Sequence, residues 1–360
     1  MPLKVKYAEK DIVFSLSKNR NSSKDFSLLS VPEDVEIFVP FTLSKEVDGN
    51  PEDFEMYILY SYDPPENAIF QVYEREPEKR IGWIFPLQSI VSKEHDYAED
   101  QYYLEYANIA LKKLLADKDD YTGKNIPEYD TMKSSYSIVD FYPHNAIILV
   151  LEKKLVSSLD DLWLNNNLPA LFKNGYSNNR DVKKIKTSEE IEGNSTQKRK
   201  KIYLTPVCRQ LRNNKFIELL INEISKKDVL TPPLLKFHLL YQVIEILLNG
   251  IFSTEMEKII IQYNNEKTDS HDLRDQLLEI NKDKVRLEKL FIGFQGHLKF
   301  KNLYRNFSNK EEEISFHNAL YEIRNQLVHR YHELASHQKE LLKEINSEFE
   351  AIILDLLMRS

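Results

Sequence analysis

The segment Thr231-Pro232-Pro233-Leu234-Leu235-Lys236-Phe237-His238-Leu239-Leu240-Tyr241-Gln242-Val243-Ile244-Glu245-Ile246-Leu247-Leu248-Asn249-Gly250-Ile251 decides what the second half of the chain is. Thr231 ahead of two prolines reads as an N-cap with proline at the first helical positions, where the missing N–H has no helical partner to lose. Phe237, Leu240, Tyr241, Ile244, Leu247, Leu248 and Ile251 then recur at three- and four-residue spacing. That spacing puts a wide apolar stripe on one side of a helix, and a stripe that wide needs other helices to cover it.

Its neighbours supply them. Asp269 or Ser270 caps a helix expected to run to about Phe291 through Leu273, Leu277, Ile280 and Leu287. Ser308 and Glu311 have capping-box spacing, and the helix they open places Phe316, Leu320, Ile323 and Leu327 on one face. Leu334, Leu341, Ile345, Phe349, Ile352 and Leu356 mark a last long helix. Residues 205–360 therefore read as an all-α bundle of four or five helices.

The first half has a different rhythm. Val35–Phe41, Glu55–Tyr60 and Ala68–Tyr73 are short, aromatic and β-branched, bounded by Pro, Asp and Asn, and read as strands. A helix is expected from about Tyr97 to Ala116, then two strands, Ser137–Tyr142 and Ala146–Leu151, around Pro143-His144-Asn145. Residues 1–172 are read as a mixed α/β domain with a possible sensing or regulatory role. Residues 173–204, polar and closing on Lys198-Arg199-Lys200-Lys201, are read as a linker. The chain as a whole is α+β.

Composition narrows the chemistry. Of 360 residues only 8 are Gly, and none forms a G-x-G-x-x-G or G-x-x-x-x-G-K pattern, so phosphate-cradling loops are not expected. The single Cys208 excludes an internal disulfide framework and cysteine-rich zinc sites. The net charge of -8 divides into -11 for residues 1–150, +6 for 151–250 and -3 for the remainder, so the acidic excess belongs to the first domain. No secretory signal is visible after Met1-Pro2-Leu3, and Ala146–Leu151 is far too short an apolar run for a membrane span. A cytoplasmic protein with no membrane partner is expected.

Seven of the nine histidines follow residue 230, and the run Tyr321-Glu322-Ile323-Arg324-Asn325-Gln326-Leu327-Val328-His329-Arg330-Tyr331-His332-Glu333 gathers two of them with two arginines. An arginine, a polar residue and a histidine after four intervening positions, on the penultimate helix of a helical bundle, resemble the signature of the HEPN superfamily (higher eukaryotes and prokaryotes nucleotide-binding). Phe237–Glu245, a glutamate set among apolar residues, is similar to the opening core helix of such domains.

The resemblance covers residues 205–360 and implies a metal-independent endoribonuclease that needs no cofactor and leaves 2′,3′-cyclic phosphate ends. It makes His329 the base or acid and Arg324 the phosphate clamp, with Asn325, Glu245, Arg330, Tyr331 and His332 in support. The chemistry suits those residue types: histidine titrates near neutral pH, and arginine offers a permanent bidentate fork for a phosphate gaining charge.

Five residues along an ideal helix turn through 500°, so Arg324 and His329 point about 140° apart. One helix does not easily converge them, whereas two facing protomers do, as in HEPN nucleases. A homodimer with RNA as substrate is expected. The resemblance further implies a toxin or anti-phage abortive-infection effector, with a protein antitoxin or trigger as a possible partner. The alternative is a catalytically silent HEPN-like binding or dimerisation module. His329 and His332, at i and i+3, have the spacing to share a metal, but this is not H-E-x-x-H and no third ligand is identifiable.

Overall fold

A computed structural model describes residues 50–65, 67–75, 78–116, 139, 142–156, 164–184, 201–226, 231–265, 269–294, 298–309 and 314–358, together with the backbone of four strands near the N-terminus. These strands, β1 (Leu3–Tyr7), β2 (Lys10–Lys18), β3 (Phe26–Ser30) and β4 (Val35–Val39), form an antiparallel meander. The chain divides into two compact units, residues 1–207 with 213–227, and residues 208–212 with 228–360. The first mixes strands and helices and the second is all helix.

A six-stranded sheet organises the first unit, in the order β10, β6, β7, β8, β5, β9. Its strands are β5 (Phe54–Ser61), β6 (Phe70–Glu74), β7 (Lys79–Pro86), β8 (Ala146–Glu152), β9 (Tyr176–Ser177) and β10 (Lys201–Leu204). Among the described strands of this sheet, only β10 and β6 pair in parallel. The Ala146–Leu151 run is continuously apolar because β8 is covered on both faces. Ala146, Ile148 and Val150 join a cluster with Tyr103, Ala107 and Leu111 of helix α1 (Gln101–Ala116). Ile147, Leu149 and Leu151 face Leu171 of α2 (Leu164–Lys173) and Ile202 of β10.

Several expectations change here. Strand β9 and strand β10 both fall inside the segment 173–204 read as linker, because Tyr176, Ile202 and Leu204 are buried against the sheet. Helix α3 (Lys215–Ser225) belongs to the sheet unit and not to the helical one, held by Asn165 Nδ2 donating to Glu218 Oε2 at 2.9 Å. The Ser137–Tyr142 strand lies outside the described residues except for Val139 and Tyr142, and Tyr142 is not in a strand. Helix α1 starts at Gln101, although Tyr97 still packs edge-on to Trp83 at 5.1 Å.

The second unit contains α4 (Pro233–Asn264), α5 (Ser270–Ile280), α6 (Asp283–Leu290), α7 (Leu298–Ser308), α8 (Phe316–His329) and α9 (Ser336–Leu357). The anticipated helix from Asp269 to Phe291 is two helices broken at Asn281-Lys282, with Asp269 Oδ1 accepting from the backbone N–H groups of His271 and Asp272. Ser308 ends α7 instead of capping the next helix, which is entered from Ser315. Pro232, not Thr231, occupies the N-cap of α4.

Helix α4 is the one described helix long and apolar enough to cross a membrane by length and composition, yet its stripe serves this bundle. Phe237 meets Phe349 of α9 at 5.3 Å, and Phe300 of α7 bridges Phe316 and Phe349 at 4.9 and 6.3 Å. Lys236 Nζ pairs with Glu350 Oε2 at 2.8 Å, and Asn346 Nδ2 donates to the Pro233 carbonyl at 2.7 Å. The two polar contacts fix the start of α4 along α9.

Gly82, on β7, is demanded by the sheet: a Cβ there would sit 2.1 Å from the Val150 carbonyl oxygen. Backbone cannot yield as a side chain does, so Gly82→Ala is expected to destabilise the sheet unit by about 3 kcal/mol. Denaturant unfolding of the variant checks this, and a loss below about 0.5 kcal/mol, ordinary for a neutral surface change, would contradict it.

Candidate functional site

Helix α8 carries the Arg324–His329 run, and its periodicity decides where each side chain goes. Phe316, Ala319, Leu320, Ile323 and Leu327 are buried, so the helix lays one face into the bundle. Arg324, Asn325 and Gln326 lie at the margin of that face and are half-buried, while Val328, His329 and Arg330 are exposed. On the flank toward α7, Tyr304 Oη donates to the Glu322 carboxylate.

Arg324 is held in an unusual way for a half-buried guanidinium. Nη1 donates to Asn325 Oδ1 at 3.0 Å, and the guanidinium carbon stands 5.9 Å from the ring centroid of Tyr241 on α4. No carboxylate among the described residues lies within ion-pair distance of it. Tyr241 is 4% exposed and stacks on Phe237, with centroids 6.0 Å apart and planes 18° apart. Burial pushes its phenol well above the ordinary tyrosine range, opposed by the positive Arg324 and reinforced by Asp283, Glu245 and Tyr321. The hydroxyl therefore stays protonated, and the ring meets the cation as a neutral π face.

Asn325 follows Arg324 on the helix and is bonded to it. Its Oδ1 is taken by Arg324, which leaves the amide Nδ2 as a donor. Four residues on, His329 is rotated only about 40° from Asn325, against about 140° from Arg324. His329 is the last residue of α8, and its side chain makes no hydrogen bond or ion pair among the described residues.

Arg330 closes α8, its N–H donating to the Gln326 carbonyl at 2.8 Å with backbone φ -137°, ψ 25°. Its charge sits where the negative end of the helix dipole is. Tyr331 begins a short 3₁₀ turn under Lys339, whose Nζ is 5.4 Å from the ring centroid. His332 is exposed with Nε2 3.6 Å from Glu333 Oε1.

The structure thus brings together Arg324 and Asn325 and sets His329 beyond them on the exposed helix end. Glu245, expected in support of Arg324, is exposed and does not pair with it. Tyr241, one turn earlier on α4, is the residue that faces the guanidinium. In sequence Tyr241 reads as one more residue of the apolar stripe; its signal is a hydroxyl-bearing ring among aliphatic neighbours. No group of three or more His, Cys, Asp or Glu among the described residues is placed to hold a metal ion. No family model, curated protein or solved structure matches the chain.

At the other end of α8, Ser315 Oγ lies 3.1 Å from His317 Nε2 and accepts from Asn318 Nδ2 at 2.7 Å. Burial lowers the His317 pKa from the ordinary histidine value, with Lys284 adding to the effect and Glu288 opposing it. The folded chain therefore takes up this proton less readily than the unfolded one. Its contribution is fully present above the ordinary histidine pKa of about 6.5 and is lost as pH falls through the lower, folded value. His317→Gln is expected to flatten the acid side of a plot of unfolding midpoint against pH, and an unaltered slope would contradict the assignment.

Proposed function

We propose that the helical unit is a HEPN-type, metal-independent endoribonuclease domain, with Arg324 as phosphate clamp and His329 as the proton-transferring group. One observation carries the reading: Arg324 is half-buried and positioned by Asn325 and Tyr241, yet unpaired with any carboxylate among the described residues. A structural arginine at such a depth ordinarily has a carboxylate to offset its lost hydration. One that lacks it keeps its remaining N–H donors for an anion supplied from outside, and a phosphodiester suits that fork.

The chemistry follows from the residue types. His329 takes the 2′-hydroxyl proton as the oxygen attacks the adjacent phosphorus, the 2′,3′-cyclic phosphate forms as the bond to the 5′-oxygen breaks, and that oxygen takes its proton from water. Arg324 offsets the charge that builds on the phosphoryl oxygens, and the free Nδ2 of Asn325 donates to the same group. Because Arg324 and His329 diverge on α8, the reading requires a homodimer with one cleft that gathers Arg324 and His329 from both chains. Toxin or anti-phage action under an antitoxin or trigger, in the cytoplasm, belongs to the same proposal.

A second reading is favoured by one feature. The His329 imidazole has no partner among the described residues that would orient it, as expected of a silent binding or dimerisation module.

Incubation of the purified chain with total RNA or tRNA in EDTA separates the two. The nuclease reading expects cleavage to 2′,3′-cyclic phosphate ends, reduced about 10²- to 10³-fold by Arg324→Ala and by His329→Ala. Cleavage that survives both substitutions would remove the site, and a folded wild-type dimer that binds RNA without cutting it would favour the silent module.

A further inference from the structure

The geometry points to Tyr241 as a positioning residue that holds the Arg324 guanidinium open to an anion, by presenting it with an aromatic face where a carboxylate would close it. The inference rests on the nuclease reading for its catalytic consequence, but its physical content is separate.

Three observations carry it. The Arg324 guanidinium carbon lies 5.9 Å from the Tyr241 ring centroid, and among the described residues the one side-chain hydrogen bond of Arg324 goes to Asn325 Oδ1. The ring is itself immobilised, being buried at 4% exposure and stacked on Phe237, which packs on Phe349 of α9 at 5.3 Å. Glu245 is one turn further along α4, and it is exposed rather than bridged to Arg324.

A column of three rings, Phe349, Phe237 and Tyr241, thus transmits the rigidity of the α4–α9 core to a guanidinium on a third helix. The choice of ring over carboxylate matters chemically. A carboxylate holds an arginine by consuming its N–H donors, two at a time in the bidentate form, and cancels its charge. An aromatic face attracts the cation through its quadrupole and leaves the in-plane N–H groups unspent. Tyr241 therefore supplies position without neutralisation. The attraction lies in the ring and not in the hydroxyl, so phenylalanine should substitute for it and an aliphatic residue should not.

The test uses the full chain and two readouts. In ¹⁵N relaxation of the Arg324 Nε–H, assigned by its disappearance in Arg324→Lys, wild type and Tyr241→Phe should show an ordered side chain. That signal should shift on titration with inorganic phosphate. Tyr241→Leu should show a disordered Nε–H and a phosphate response weakened about tenfold or more. In the RNA assay in EDTA, Tyr241→Phe should stay within about threefold of wild type. Tyr241→Leu should lose about 10- to 100-fold in kcat/KM, as misplacement of a clamp does. Circular dichroism confirms that the helical unit remains folded in each variant.

An Arg324 Nε–H equally ordered and equally phosphate-responsive in Tyr241→Leu would overturn the inference whatever the RNA assay shows. So would full cleavage by Tyr241→Leu where Arg324→Ala is inactive. If wild type cuts no RNA, the nuclease reading fails, while the relaxation and phosphate titration still decide whether the ring holds the clamp.

Discussion

The apolar stripe of α4 is the constraint on which the helical unit depends. Phe237, Leu240, Tyr241, Ile244, Leu247 and Leu248 are buried because α4 has α9 on one side and α6 on another, and the stripe is too wide for a single neighbour. Phe237 is the hinge of this arrangement, touching Phe349 on α9 and Tyr241 along its own helix. The ring that completes the core at Tyr241 also faces the guanidinium of α8. Core and candidate site therefore share a residue, and Arg324 is placed by the packing energy of the bundle more than by any ion pair of its own.

Most of the helical unit was legible from sequence because its helices are amphipathic and long. The period of α4, α8 and α9 appears directly in the spacing of their apolar residues. What was not legible is where a continuous pattern breaks. Leu273 through Leu287 keep helical spacing across Asn281-Lys282, so the α5–α6 junction is invisible to periodicity. The sheet unit was harder, for a physical reason. β10 is four residues long and reaches the sheet from a charged segment, and its pairing with β6 is a contact between positions some 130 residues apart in sequence, as in Lys201 with Gln71. Local composition carries no trace of such a partner. In β7, Lys79, Arg80 and Gly82 weaken the strand pattern in sequence, although the glycine is there to admit the Val150 carbonyl.

The candidate site divides in the same way. Arg324, Asn325 and His329 stand out in sequence because their types and spacing match a known chemical pattern. Tyr241 does not, because a buried tyrosine in an apolar stripe looks like packing, and its second role needs α8 in three dimensions. Glu245 is the converse: in sequence it reads equally as a partner of Arg324 or as a structural carboxylate, and on α4 it is exposed and does not pair with Arg324. A net charge of -8 gives no hint of a site for an anion, since the acidic excess is concentrated in the first 150 residues and Arg324 acts within a few ångströms.

The proposal has Arg324 and His329 work together although one helix points them apart, which requires a single cleft that draws them from two chains. Mixing two inactive proteins tests it most directly. Arg324→Ala chains retain His329, and His329→Ala chains retain Arg324, so subunit exchange would rebuild one composite cleft. The account expects the mixture to recover a substantial fraction of wild-type RNA cleavage in EDTA, rising as exchange proceeds. A mixture that forms heterodimers and remains as inactive as its parents would contradict it.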